Sequence, residues 1–188
     1  MNGRNAFIKY SFFINSLVFI IKFFPSKFNK FIWNSIQNLH GKIGIGLRYC
    51  LLKASINTCG VNVSIGPYVE INNWKDLSVG DNVSIHSHCY IEALGGVEIG
   101  NDVSIAQACS IFSVNHTWKD PNVPIKYNEI NLAKVIIMDD VWVGSSCKIL
   151  SGVTIGKRSV IGAGAVVTKN VDGNSLYGGV PAKKIKSI

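Results

Sequence analysis

The chain has 188 residues, 47% of them hydrophobic, with 18 glycines and a net charge of +8. That length allows one domain with an appendage, and the composition excludes a disordered or collagen-like chain. Five cysteines with no C-x-x-C pair exclude a zinc ribbon and a thioredoxin-type redox motif; small, buried, reduced thiols of a cytoplasmic protein fit better.

The charge is one-sided. No Asp or Glu precedes Glu70, whereas Arg4, Lys9, Lys22, Lys27, Lys30, Lys42, Arg48 and Lys53 do; from Glu70 onward acids and bases balance. A basic, aromatic-rich leading segment suits an anionic membrane surface. Nucleic acid is the usual competitor, but no nucleic-acid-binding motif accompanies the charge. Residues 10–21 are apolar apart from Ser11, Asn15 and Ser16, and are bracketed by Lys9 and Lys22. This run is too short to span a bilayer comfortably, and it lacks the small-residue cleavage site of a signal peptide. Pro25 ends it, and Ser26 is placed to cap a second helix. There Phe28, Phe31, Ile32, Ile36 and Leu39 recur at helical spacing, with Lys27, Lys30, Asn34 and Gln37 off the stripe. Residues 1–56 therefore read as a basic, apolar helical arm that anchors to a membrane surface. The competing reading is packing on the main domain or on a partner subunit.

From Cys59 the chain steps by six. Anchors fall at Cys59, Ile65 and Ile71, at Val79, Ile85 and Ile91, and at Ile99, Ile105 and Ile111. After an interruption they resume at Ile137, Val143, Ile149, Ile155, Ile161 and Val167. Four positions beyond each anchor stands a second small or β-branched residue, as at Val63, Val69, Val83, Cys89, Val103, Cys109 and Cys147. Each six residues make a short strand and a bend, and three make a triangular turn of about eighteen residues. Stacked turns align their aliphatic residues into a core that no single turn could bury. Gly66, Gly80, Gly100, Gly144, Gly156 and Gly162 follow anchors, at bends without room for a side chain. The main domain, 57–188, is thus all-β: a parallel β-helix of about five triangular turns spanning 59–172.

The interruption sets Ile137 26 residues after Ile111, where 6 to 8 would serve. Residues 115–134 leave the helix as a projecting loop, and long loops on a regular scaffold are usually functional. It opens with Asn115-His116-Thr117-Trp118. On its own, a loop histidine is ordinarily a surface residue.

The loop is followed by Asp140-Val141-Trp142-Val143-Gly144, then Ser151-Gly152-Val153-Thr154-Ile155-Gly156, then Val160-Ile161-Gly162-Ala163-Gly164-Ala165-Val166-Val167-Thr168-Lys169, and finally Gly179-Val180-Pro181-Ala182-Lys183-Lys184-Ile185-Lys186. This pattern resembles the hexapeptide-repeat acetyltransferases, in particular the galactoside, maltose and capsular-polysaccharide O-acetyltransferase branch. The resemblance covers the chain from about Cys59 to its end. It implies the left-handed sense of the β-helix, against the usual right-handed crossover rule. It implies acetyl-CoA as co-substrate and a homotrimer with CoA between subunits. It assigns His116 as general base, the backbone N–H of Ser145 as oxyanion donor, and Trp142, Ser145, Ala163, Thr168 and Lys169 to CoA. Lys183 and Lys186 match basic positions near the nucleotide end, keeping the charge while forgoing the bidentate fork of arginine. On the acceptor side it points to His86, His88, Asn115 and Trp118; where some members hold the acceptor with an asparagine, this chain has His86.

His86, His88 and His116 also suggest a metal site. No ligand spacing supports one and His116 is assigned to a mobile loop, so no metal is expected. The function implied is O-acetylation of a sugar or lipid-linked glycan for capsule, O-antigen or exopolysaccharide synthesis, at the inner face of a bacterial membrane. The alternatives are N-acetylation of an amino sugar or antibiotic, and a non-catalytic β-helical scaffold.

Overall fold

The computed structural model describes residues 3–188, with side chains from Phe7 onward except Ile8. The first two residues of the arm, and the side chain of Arg4, lie outside the described residues. Among the described residues, α1 (Gly3–Ile21), α2 (Ser26–Ser35) and α3 (Gly41–Ser55) precede a parallel solenoid.

The solenoid has three sheets. The first stacks Thr58–Cys59, Leu77–Val79, Val97–Ile99, Val135–Ile137 and Thr154–Ile155. The second stacks Ser64–Ile65, Ser84–Ile85, Ser104–Ile105, Trp142–Val143 and Val160–Ile161, and the third Glu70–Asn72, Tyr90–Glu92, Ser110–Phe112, Lys148–Ile149 and Val166–Val167. Five turns are complete. A sixth begins with the bridge of Ile155 to Val171 and with Ser175–Gly178, which adds to the second sheet.

The registers show why a six-residue period holds. Ile65, Ile85, Ile105, Val143 and Ile161 are paired in sequence up the second sheet, and Ile71, Ile91, Ile111, Ile149 and Val167 up the third. All ten are buried. Each sealed isoleucine contributes roughly 2–3 kcal/mol of apolar burial. Cys89, Cys109 and Cys147 occupy one inner column, and all five cysteines are free. Where a glycine follows an anchor, except at Gly162, it is required by close approach rather than by a positive φ. A Cβ on Gly66 would lie 2.5 Å from the Ser87 nitrogen of the next turn, and one on Gly144 2.6 Å from that of Ala163.

The first turn would leave an open strand edge, and the helices close it. Arg48, fully buried in α3, donates through Nε to the Ile65 carbonyl at 3.0 Å and through a terminal nitrogen to the carbonyls of Ile36 and Leu39. Tyr49 and Lys53 donate to the Gly60 carbonyl, Trp33 and Gln37 to that of Val69, and Lys30 to that of Ile71. Unpaired edge carbonyls are thereby satisfied.

The helices depart from the sequence reading in three ways. Pro25, not Ser26, is the N-cap of α2, and Ser26 is its first residue. The buried face of α2 is Asn29 and Trp33, whereas Phe28 and Phe31 are exposed. Indole area and an amide bonded to Ser55 make the better contact. Finally, Lys30, Arg48 and Lys53 cap carbonyls, so the basic surplus is only in part a surface charge. Burial pulls the Lys30 ammonium below the ordinary lysine range, against the raising effect of Glu70 and Glu92.

The outer side of α1 is left bare. Phe12, Phe19 and Phe23 are 76%, 65% and 75% exposed, and Phe13, Ile20 and Phe24 join them. Lys9, Lys22, Lys27 and Lys42 are exposed beside this aromatic face. No described helix is long and apolar enough to cross a membrane.

Candidate active site

The interruption after the third turn is an ordered arm. Val114–His116 and Ile130–Leu132 form an antiparallel hairpin, with His116 opposite Ile130 and Asn115 opposite Asn131. Asn128 pins the tip. Its side-chain amide donates to the carbonyls of Asp120 and Val123, and its oxygen accepts from the Asp120 N–H. The projecting loop is therefore a hairpin braced by buried Asn128; one asparagine among four in 115–131 gave no signal in sequence. The His116 side chain is exposed and makes no hydrogen bond among the described residues, so Asn115 does not orient it. Trp118, Ile125 and Tyr127 also face outward.

The two remaining corners of the solenoid differ. Where the first sheet turns into the second, Asn62, Asn82, Asp102, Asp140 and, in the last turn, Arg158 adopt positive φ, and the side chains of Asn62, Asn82 and Asp102 are linked at 3.0 Å from turn to turn. Asn and Asp tolerate that conformation. Where the second sheet turns into the third, the same positive φ falls on Tyr68, His88, Ala108 and Ser146, which tolerate it less well. Strain of this kind gathers at functional sites. On this edge lie His86, His88, Ser145 and Ala163. The His88 ring stacks on Tyr68 at 4.9 Å, and His86 is exposed.

Ser145 sits at the middle of this bend. Its carbonyl accepts from Gly164 at 2.8 Å, while its own N–H donates no bond among the described residues. Trp142 projects from the second sheet just before it, half exposed. Register carries a column from Trp142 to Val160, Leu176 and Lys186, three strand spacings or about 14 Å. Lys183 lies in the same final strand, opposite Gly178. Lys184 pairs with Asp172, whereas Lys183 and Lys186 are exposed and make no hydrogen bond or ion pair among the described residues. Thr168 and Lys169 fall elsewhere. They follow Val166–Val167 and share the opposite edge of the third sheet with the hairpin root.

The predicted residues thus form two groups. Trp142, Ser145, Ala163, Lys183, Lys186, His86 and His88 gather on the second sheet and its far edge. His116, Asn115, Trp118, Thr168 and Lys169 gather on the hairpin edge. A three-residue strand and its bends separate them, at least about 10 Å at the rise of extended chain. One chain does not bring the imidazole to the Ser145 N–H. No group of three His, Cys, Asp or Glu side chains that could hold a metal is present among the described residues, and His86, His88 and His116 do not converge.

Residues 134–169 match the bacterial transferase hexapeptide (six repeats) family. The chain is 44% identical over 63 residues to the galactoside O-acetyltransferase of Escherichia coli, covering 34% of this chain and 31% of that one. The matched segments span 22% to 34% of the lengths of the curated relatives. Structural likeness extends further. A maltose O-acetyltransferase from Clostridium difficile superimposes with a TM-score of 0.78 at 26% identity, over 86% of this chain and 85% of that one. A hexapeptide-repeat acetyltransferase from Vibrio cholerae, solved with acetyl coenzyme A, gives 0.73 at 25% identity over 93% and 86%. The left-handed coil implied by the sequence is the fold of these proteins.

Proposed function

We propose that the chain is an acetyl-CoA-dependent O-acetyltransferase acting on a sugar hydroxyl, as a homotrimer. The carrying observation is the division of the candidate residues between two edges of one sheet. A second copy that lays its hairpin edge beside Trp142 and Ser145 joins the two halves, and the outward Trp118, Ile125 and Tyr127 supply an apolar contact for it.

In that arrangement His116 takes the proton of the acceptor hydroxyl as its oxygen attacks the thioester carbonyl. The unpaired Ser145 N–H receives the oxyanion. The carbon–sulfur bond breaks, and His116 returns the proton to the departing thiol. Trp142, Ala163, Thr168 and Lys169 line the path of the pantetheine arm, and the unpaired Lys183 and Lys186 meet the phosphates. His86, His88, Asn115 and Trp118 face the acceptor. The helices of 1–56 lie on an anionic membrane surface through the bare face of α1, and 57–188 carries the chemistry. Such a placement suits a lipid-linked glycan destined for capsule, O-antigen or exopolysaccharide, at the inner membrane face.

The test is acetyl-CoA turnover, read as thiol release, for wild type and His116→Ala against free sugars and lipid-linked glycans. Release that requires an acceptor and falls at least about a hundredfold in the variant is expected. Equal rates with an acceptor that turns over would remove His116 as base. A product stable to mild base would be an amide and would move the acceptor to an amine.

A further inference from the structure

Between α1 and α3, above the first turn of the solenoid, lies a cavity of roughly 580 Å³. Ile14 and Leu17 of α1, Ile45 and Gly46 of α3, and Val63 of the solenoid line it. The volume falls in the range of about 300–1,000 Å³ typical of small-molecule sites. Four further lining residues, Tyr10, Phe13, Lys42 and Ile43, are exposed. Phe13 makes an edge contact with Phe12, so the lining runs without a break into the bare aromatic face of α1. Lys42 stands in the first turn of α3, whose N-cap residue His40 makes no side-chain capping bond.

We infer that this cavity takes the hydrocarbon chain of a phosphate-bearing membrane lipid, with the phosphate held at Lys42 and the first turn of α3. The apolar walls select the chain. The cation and the positive end of a fifteen-residue helix, together at one opening, select an anionic head. The surrounding surface brings the opening to the lipid, since exposed Phe12 and Lys9 stand on the same helix as its lining residues Tyr10 and Phe13. The inference rests on the arm lying against the membrane and is independent of the transfer chemistry.

Gly46 provides a clean test. A Cβ placed on it meets nothing within 4 Å, so Gly46→Phe can fill the cavity without moving backbone. The full chain is titrated with farnesyl phosphate, farnesol and inorganic phosphate, and melting temperature and vesicle flotation are measured alongside. Wild type is expected to bind farnesyl phosphate. Gly46→Phe should weaken binding at least about tenfold while leaving melting and flotation intact, since the pocket loses its chain but the arm keeps its face. Lys42→Gln should weaken farnesyl phosphate by about fivefold and leave farnesol unchanged. Flotation of wild type without farnesyl phosphate binding would overturn the cavity while sparing the membrane reading. Equal binding by wild type and Gly46→Phe would overturn it too, as would a change of oligomeric state in Gly46→Phe, which would make the cavity a subunit contact.

Discussion

Ile85 and Ile105 are sealed inside the solenoid, while Phe12, Phe19 and Phe23, at least as apolar, point out of the helical arm. Both regions are rich in large hydrophobic residues, and they use them differently. The solenoid completes its own core, because every turn supplies the surface that buries the next. The arm buries one side, with Val18 and Ile21 among its own helices and Trp33 on the solenoid, and leaves the other uncovered. A contiguous bare aromatic face on a folded protein marks an interaction surface.

This contrast can be attacked at several points. Ile105→Ala removes a side chain from the middle of a five-residue column and should cost roughly 3–4 kcal/mol in denaturant unfolding. Arg48→Leu strips the capped carbonyls of Ile65, Ile36 and Leu39 and should cost about 2–3 kcal/mol. A smaller cost would mean that the arm does not seal the solenoid. The double variant Phe19→Ser, Phe23→Ser should stay within about 0.5 kcal/mol of wild type. Its flotation with anionic vesicles should nevertheless fall about tenfold, given the apolar area removed. Destabilisation on the scale of Ile105→Ala would instead show that those rings are core, and the contrast would dissolve. The smallest effect is on thiol chemistry. Burial pushes Cys50 up to about 11 and Cys59 up to about 12, and a hydrogen-bonded thiol ladder places Cys109 at about 11. Cys89 is lowered by its bond with Cys109 but is sealed from solvent. The native protein should therefore show almost no reaction with a disulfide reagent at pH 8, and prompt labelling of any thiol would reveal a turn that opens.

The braced hairpin shows where reading the sequence stopped. Its position was legible, because an interrupted period announces an insertion. Its rigidity was not, because Asn128 acts through carbonyls at Asp120 and Val123 that no pattern connects. The stripe of α2 failed similarly. Periodicity puts Phe28 and Phe31 on the apolar stripe and passes over Trp33, yet it is Trp33 that finds the Val69 carbonyl and the edge of Trp74. The helix α3 passed unmarked within the arm, since its three glycines blur its periodicity.

By itself the sequence determined the solenoid, its three-sided turn, its anchors and the place of its insertion. Those follow from a local repeat in which each residue's environment is set by the identical position one turn away. Only the tertiary structure decided which basic residues are caps and which are free, which side of the arm stays bare, and that the candidate residues fall on two edges. Those depend on contacts between segments with no shared period, where geometry rather than pattern selects the partner.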